Sequence, residues 1–127
     1  MQPWATGIAA VTMFVEDTAA AKYFYQDILG LPVIFEDEDS VVFKFGDVLV
    51  NLLVTTAAPE LIAPAEVGGA GAGCRFQLTV PVRDVDALCE NLVRRGVRLL
   101  NGPMDRPWGP RTASFQDPDG HIWELAQ

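Results

Sequence analysis

SFQDPDGHIWELAQ, residues 114–127, is the stretch of this chain that decides its fold. Short apolar runs lie on either side of Asp117-Pro118-Asp119-Gly120. Pro118 presets φ for the second position of a tight turn, and Gly120 tolerates a positive φ. The pattern therefore predicts a β-hairpin that closes the chain.

The second strand of this hairpin carries one carboxylate, Glu124, among apolar neighbours. Side chains alternate along a strand, so the sequence predicts two faces. One face holds Ile122, Glu124 and Ala126, and the other holds Trp123 and Leu125. We expect Trp123 and Leu125 to be core residues, whereas Glu124 needs a partner, a ligand, a metal or solvent.

The composition fits one globular domain, residues 1–127, because half of the residues are apolar and only 20% are charged. A net charge of −8 argues against nucleic acid and against anionic membrane surfaces as partners. No apolar run approaches the roughly 18 residues of a membrane span.

The two cysteines, Cys74 and Cys89, do not have the spacing of a metal site. The beginning of the sequence, residues 1–4, does not resemble a signal peptide. We therefore expect reduced thiols and a cytoplasmic location. Cys89 falls on the apolar side of a predicted helix, where packing is its expected role.

The first half of the chain predicts a strand at residues 7–15, a helix capped by Asp17 or Thr18 and ending at Gly30, and three further strands at 33–35, 41–45 and 48–54. Residues Ala20, Tyr23, Phe24 and Ile28 are spaced for one buried helix face. The Pro- and Gly-rich segment 55–73 predicts a flexible linker.

The second half repeats this order. It predicts a strand at 75–82, a helix capped by Asp84 and ending at Gly96, a short strand at 97–100, a loop at 101–110 and the closing hairpin. Val15-Glu16-Asp17 and Val82-Arg83-Asp84 are equivalent helix entries. The sequence therefore indicates an internal duplication.

Two sets of motifs resemble a known family. Residues 15–17, 22–25 and 28–32 resemble the opening module of the vicinal oxygen chelate superfamily, and residues 115–125 resemble its closing motif. That superfamily includes glyoxalases, bleomycin-resistance proteins, methylmalonyl-CoA epimerases and extradiol dioxygenases. The resemblance implies an α+β fold of two βαβββ modules, here 7–56 and 73–126, that form a cupped mixed sheet around a cavity, usually in a homodimer.

The resemblance also implies four positions for a metal ion, which fall here on Ala10, Asn51, Gln77 and Glu124. Divalent cations prefer several oxygen or nitrogen ligands that include anionic ones. Ala10 offers no donor, Asn51 and Gln77 are neutral amides, and only Glu124 is a strong ligand. We therefore expect no metal, no cofactor and no catalytic residue.

Strand alternation instead predicts a mainly apolar cavity with a few polar groups, as in many small-molecule pockets. Asn51, Gln77 and Glu124 either orient a ligand there or hydrogen-bond to one another. Trp108 either stacks on a planar ligand or packs on its own loop, and Arg111 either meets an anionic ligand group or pairs with an acid. The side chains predicted to bind the ligand are Phe14, Phe43, Phe45, Asn51, Gln77, Trp108, Arg111 and Glu124.

These expectations favour a metal-free binding protein of the bleomycin-resistance type, which sequesters an aromatic, drug-like natural product in a dimeric pocket. The alternative is an enzyme of the same superfamily. It would be a metal-dependent lyase, isomerase or dioxygenase, or a metal-free enzyme with Glu124 as general base. An interaction module with a filled pocket is a third possibility.

Overall fold

The first strand, β1 (Ala10–Val15), belongs to a four-stranded sheet with β2 (Val33–Glu36), β3 (Ser40–Phe45) and β4 (Val48–Val54). The strand order is β1-β4-β3-β2; β1 runs parallel to β4, and the other pairs are antiparallel. The computed structural model describes residues 5–69 and 71–127. Residues 1–4, at the start of the chain, and residue 70, in the predicted linker, lie outside them.

The helical connection after β1 is α1 (Thr18–Lys22), which continues as a π-helical turn over Tyr23–Ile28. Asp17 caps it as predicted, because its Oδ1 accepts hydrogen bonds from the backbone N–H groups of Ala19 and Ala20. Gly30 follows with φ of 75°, a conformation that glycine adopts without strain.

The predicted buried face of this helix is wrong in two of its four residues. Tyr23 is 59% exposed and Ala20 is also exposed, whereas Ala21, Phe24 and Tyr25 are buried. The buried residues Ala21, Phe24 and Tyr25 are spaced at i, i+3 and i+4, so the helical period is kept and the predicted face is one residue out of phase. The helical connection ends in a π-helical turn, in which the N–H of Leu29 bonds to the carbonyl of Phe24.

The segment predicted as a linker contains short ordered pieces, a 3₁₀ turn at Thr55–Ala57 and helix α2 (Pro59–Ile62). The chain divides into two compact units after Val67. No helix in residues 5–69 or 71–127 is long and apolar enough to cross a membrane.

The second unit contains β5 (Gln77–Pro81), helix α3 (Val85–Arg94), β6 (Leu99–Asp105), β7 (Arg111–Gln116) and β8 (Ile122–Ala126). Its strand order is β5-β8-β7-β6, and β5 runs parallel to β8. This is the topology of the first unit, so the predicted duplication and the α+β class with two βαβββ modules are confirmed. Asp84 caps α3, as predicted, by accepting from the N–H of Ala87.

Strand β6 differs from its prediction, because it continues to Asp105 where a loop was expected from Asn101. Its pairing with β7 shifts register twice, between Leu99 and Asn101 and between Asn101 and Met104. Gly102 and Pro103 are tolerated because β6 is the edge strand of its sheet. The loop itself is shorter and closes where the N–H of Arg106 bonds to the carbonyl of Pro110.

Each sheet packs one face against its own unit's helical connection, and we call the other face the distal face. In the first unit the packed face holds Met13, Val15, Val41, Phe43, Val50 and Leu52, all at most 2% exposed. In the second unit the packed face holds Ala113, Phe115, Trp123 and Leu125. Trp123 and Leu125 are therefore core residues, as predicted.

Candidate functional site

The distal face of the first sheet is mostly apolar with one amide in its middle. The strand registers place one residue from each strand in a row across this face, in the order Thr12, Asn51, Val42 and Phe35. Phe14 and Leu53 form the adjacent row with Ser40. Such a surface suits a planar apolar ligand that carries few polar groups.

Asn51 has incomplete hydrogen bonding on this face. Its Nδ2 donates to Thr12 Oγ1 at 3.4 Å, a long hydrogen bond. Its Oδ1 is buried and has no hydrogen-bond partner among the residues that the structure describes. A buried acceptor without a donor costs on the order of 1–3 kcal/mol, so a ligand that donates a hydrogen bond to Oδ1 recovers this free energy.

The prediction that Phe43 and Phe45 contact the ligand is corrected by the pairing of β3 with β4. Phe43 lies opposite Val50 on the packed face and is fully buried, with its ring centroid 5.8 Å from that of Tyr25. Phe45 shares this face by alternation. The aromatic side chain that the sequence analysis missed is Phe35, which a bulge after Val33 turns onto the distal face.

The distal face of the second sheet is polar. One row across its strands consists of Thr79, Glu124, Ser114 and Asn101. Glu124 Oε1 accepts a hydrogen bond of 2.9 Å from Thr79 Oγ1, which holds the carboxylate in one orientation. Gln77 is exposed and lies on the same face, opposite Ile122 in the adjacent row. Glu124 therefore lies on the predicted face, with a partner from its own sheet.

Arg106 is a site residue that the sequence analysis missed. Its Nε donates to Thr112 Oγ1 at 2.8 Å, and its Nη2 donates to Asn101 Oδ1 at 2.8 Å. Its Cζ lies 5.7 Å from the ring centroid of Trp108, within the range of a cation–π interaction. Trp108 itself is 71% exposed. The sequence signal was weak, since Asn101 and Thr112 become neighbours only through the irregular pairing of β6.

Arg111, which was predicted to contact the ligand, has its charge neutralised on the packed face. Its Nε and Nη2 donate to the two carboxylate oxygens of Asp86, each at 2.9 Å, and its Nη1 donates to Asp105 at 3.2 Å. The hydrogen bond from Arg111 lowers the pKa of Asp86, and hydrogen bonds to Asp86 and Asp105 raise the pKa of Arg111. Of the two roles open to Arg111, the structure selects the ion pair.

The side chains at the four family metal positions do not fit a divalent cation. Ala10 has no donor atom, and Asn51 offers only the carbonyl oxygen of a neutral amide. Gln77 adds a second neutral amide, so Glu124 is the only anionic ligand of the set. Within residues 5–69 and 71–127, no group of three or more His, Cys, Asp or Glu side chains is placed to hold a metal.

Comparison with known proteins agrees with the duplicated topology. The sequence model of the Glyoxalase/Bleomycin resistance protein/Dioxygenase superfamily matches residues 7–125. The uncharacterized protein YraH of Bacillus subtilis is 31% identical over 119 residues, which cover 91% of this chain and 93% of YraH. Virulence protein STM3117 of Salmonella typhimurium is 23% identical over 120 residues, covering 92% of this chain and 81% of that protein.

Solved structures show the same fold. A glyoxalase/bleomycin resistance protein/dioxygenase from Nocardioides superposes with a TM-score of 0.87 at 22% identity, covering 98% of this chain and 85% of the other. A lactoylglutathione lyase from Agrobacterium tumefaciens superposes with a TM-score of 0.75 at 23% identity, covering 98% and 94%. The sequence match, the relative in Bacillus and the shared fold together place the chain in the glyoxalase/bleomycin resistance protein/dioxygenase superfamily, also called the vicinal oxygen chelate superfamily.

Proposed function

We propose that this protein is a metal-free binding protein of the bleomycin-resistance type, which sequesters an aromatic, drug-like small molecule and works as a homodimer. In this proposal the distal faces of the sheets carry the ligand-contacting side chains. In the first unit Phe14 and Phe35 offer apolar and aromatic contact and Asn51 a hydrogen bond; in the second unit Glu124 offers a hydrogen bond and Trp108 a stacking surface.

Two observations together support the proposal. The residues at the family metal positions are poor metal ligands, and the buried Oδ1 of Asn51 lacks a hydrogen-bond donor. Glu124 is the only anionic donor at the family metal positions, which argues against the metal chemistry of the superfamily's enzymes. Asn51 Oδ1, by contrast, is buried without a partner in the described part of the chain, on a face lined by Phe14, Phe35 and Leu53. This combination suits an organic ligand better than a cation.

The proposal is tested by measuring binding across a panel of planar aromatic antibiotics by thermal shift and calorimetry. A ligand present at 100 times its Kd stabilises the folded state by about 2.7 kcal/mol, so binding is visible as a raised Tm. Phe14→Ala should weaken binding about tenfold or more, since it removes an aromatic contact. Tyr23→Ala is the matched control, because Tyr23 is exposed on the helical connection. No binding by any compound of the panel would contradict the proposal.

The alternative is a metal-free enzyme with Glu124 as general base, and the hydrogen bond from Thr79 favours it, because a fixed carboxylate suits proton transfer. Glu124→Gln separates the two functions. It keeps the shape of the side chain and still accepts from Thr79, so sequestration predicts an affinity change below about tenfold. A general base predicts a loss of turnover of about 10²–10⁴-fold with binding retained.

A further inference from the structure

We propose that Arg106 binds an oxyanion of the ligand, a carboxylate or phosphate-like group, beside the indole of Trp108. This inference rests on the proposed small-molecule function and specifies the ligand class as an aromatic acid. The site lies within the second unit, on the distal face of its sheet, and is formed by the guanidinium of Arg106, its supports Asn101 and Thr112, and Trp108.

The guanidinium is held in place, yet its charge is not neutralised. The two groups that it contacts, Thr112 Oγ1 and Asn101 Oδ1, are both neutral acceptors at 2.8 Å. No carboxylate in the described ranges lies within salt-bridge distance of Arg106. A guanidinium has five N–H donors, so groups remain for a further acceptor, and its planar fork matches an oxyanion with two oxygens.

Arg111, in the same unit, shows what a purely structural arginine looks like in this protein. It forms a two-pronged pair with Asp86 and a third contact with Asp105. The chain has 17 acidic residues and 9 lysines and arginines, so carboxylates to neutralise an arginine are abundant. That Arg106 is ordered by a hydroxyl and an amide instead leaves its positive charge for an external anion.

Trp108 adds an aromatic stacking surface beside the charged guanidinium of Arg106. Its indole is 71% exposed and lies 5.7 Å from the Arg106 guanidinium carbon. A planar ligand that stacks on the exposed part of the indole brings an attached oxyanion within reach of the guanidinium. A ring and an acid group on one molecule therefore satisfy both side chains together.

The carboxylate of Glu124 restricts which chemical groups the ligand can place near it. It lies two strands from Asn101 in the same row, which corresponds to about 10 Å at the usual strand spacing. A carboxylate repels an anion and accepts hydrogen bonds, so the ligand's acid group belongs at the Arg106 end. Hydroxyl or amine groups of the ligand belong near Glu124.

The experiment compares two probes of equal size, 2-naphthoate and its neutral amide 2-naphthamide, by calorimetry at low salt. The wild-type protein should bind 2-naphthoate about tenfold or more tightly than the amide, and the preference should shrink as salt is added. Arg106→Gln should abolish the preference. Arg111→Gln should keep it, because Arg111 lies on the packed face.

The probe preference of the wild type is informative even if a variant fails to fold, and circular dichroism checks each variant. Equal affinity for the two probes, or a preference that survives Arg106→Gln, overturns the role of Arg106. Neither result contradicts the proposed function, because that function is tested separately by the antibiotic panel. Binding of neither probe also overturns the inference, and only a negative panel in addition removes the proposed function.

Discussion

At the scale of single residues, the unsatisfied Oδ1 of Asn51 makes a prediction about stability as well as binding. Asn51→Leu replaces the amide with an apolar side chain of similar size on an apolar face. We expect the ligand-free protein to gain about 1 kcal/mol, because the buried acceptor without a donor is removed at the loss of one long hydrogen bond.

The measurement is urea unfolding of the wild type and Asn51→Leu, with Thr12→Val as the comparison. Thr12→Val removes the acceptor of Asn51 Nδ2 and should lower stability instead. A ligand found in the panel should bind more weakly to Asn51→Leu. Lower stability of the Asn51→Leu variant would show that Oδ1 is satisfied in solution.

A second residue-scale prediction concerns pH. The hydrogen bond from Arg111 lowers the pKa of Asp86 below its ordinary 3.8 in the folded protein. The stabilisation from this pair is therefore present above the ordinary pKa and is lost as pH falls through the lowered folded value. Asp86→Asn should be less stable than the wild type at pH 7, and the difference should shrink below pH about 4.

Urea unfolding at pH 7 and pH 3 tests this prediction, and Asp47→Asn serves as a control, because Asp47 is exposed in the turn between β3 and β4. The control should change little at either pH. A stability difference of the same size at pH 7 and pH 3 would show that the Asp86 charge contributes nothing.

The sequence predicts on which face of a regular strand a residue lies better than it predicts which partner that residue binds. Glu124 and Asn51 were placed on the correct faces, because each lies on a regular strand whose alternation is visible. The roles of Arg106 and Arg111 were not distinguished, since their partners come from distant positions or from irregular pairing. Phe43 was misplaced because the face of β3 is fixed by its register with β4, which the sequence alone does not give.

At the scale of elements, the pairing of strand β6 with β7 requires a glycine at position 102. The sequence did not indicate this requirement, because it predicts a loop there. Gly102 has φ of 81°, and a Cβ added there would lie 2.4 Å from the backbone oxygen of Thr112. Gly102→Ala should therefore destabilise the protein by about 3 kcal/mol or more, since β6 and β7 must separate.

Gly120→Ala is the matched control for β6. Gly120 has φ of 88°, close to that of Gly102, but no atom lies within 4 Å of an added Cβ. Its cost should be about 1 kcal/mol, from backbone conformation alone. Thermal unfolding of both variants gives the comparison, and equal losses would contradict a tight approach of Gly102 to β7.

Elements with regular periods could be predicted and irregular ones could not. Helix α3 has its predicted cap, and of the four residues whose spacing indicates one apolar face, Val85, Cys89 and Leu92 are buried and Leu88 is half-buried. The helical connection after β1 was correctly located, but its buried face was predicted one residue out of phase, at Ala20 and Tyr23 instead of Ala21 and Tyr25. Strand β6 was cut short in the prediction because Gly102 and Pro103 normally indicate a loop.

At the scale of the whole molecule, the duplicated module order predicts the fold, and the donor chemistry at the family's metal positions leads to a prediction about metal content. We expect protein purified without chelator and without an affinity-tag metal to contain far less than one metal ion per chain. Ala10 supplies no ligand, and Asn51 is a neutral amide whose carbonyl oxygen is a weak ligand. Glu124 is left as the only anionic donor of the set.

Metal analysis followed by titration with nickel, zinc and manganese tests this prediction, and Glu124→Gln provides the internal comparison. If the residues at these positions set the metal affinity, titration of the wild type yields only weak metal binding. Any binding that is seen decreases in Glu124→Gln, because the anionic ligand is gone. Tight, near-stoichiometric metal in the wild type would contradict the prediction. It would mean that water or side chains beyond these positions complete the coordination, and a metal-dependent enzyme would then replace sequestration as the better-supported function.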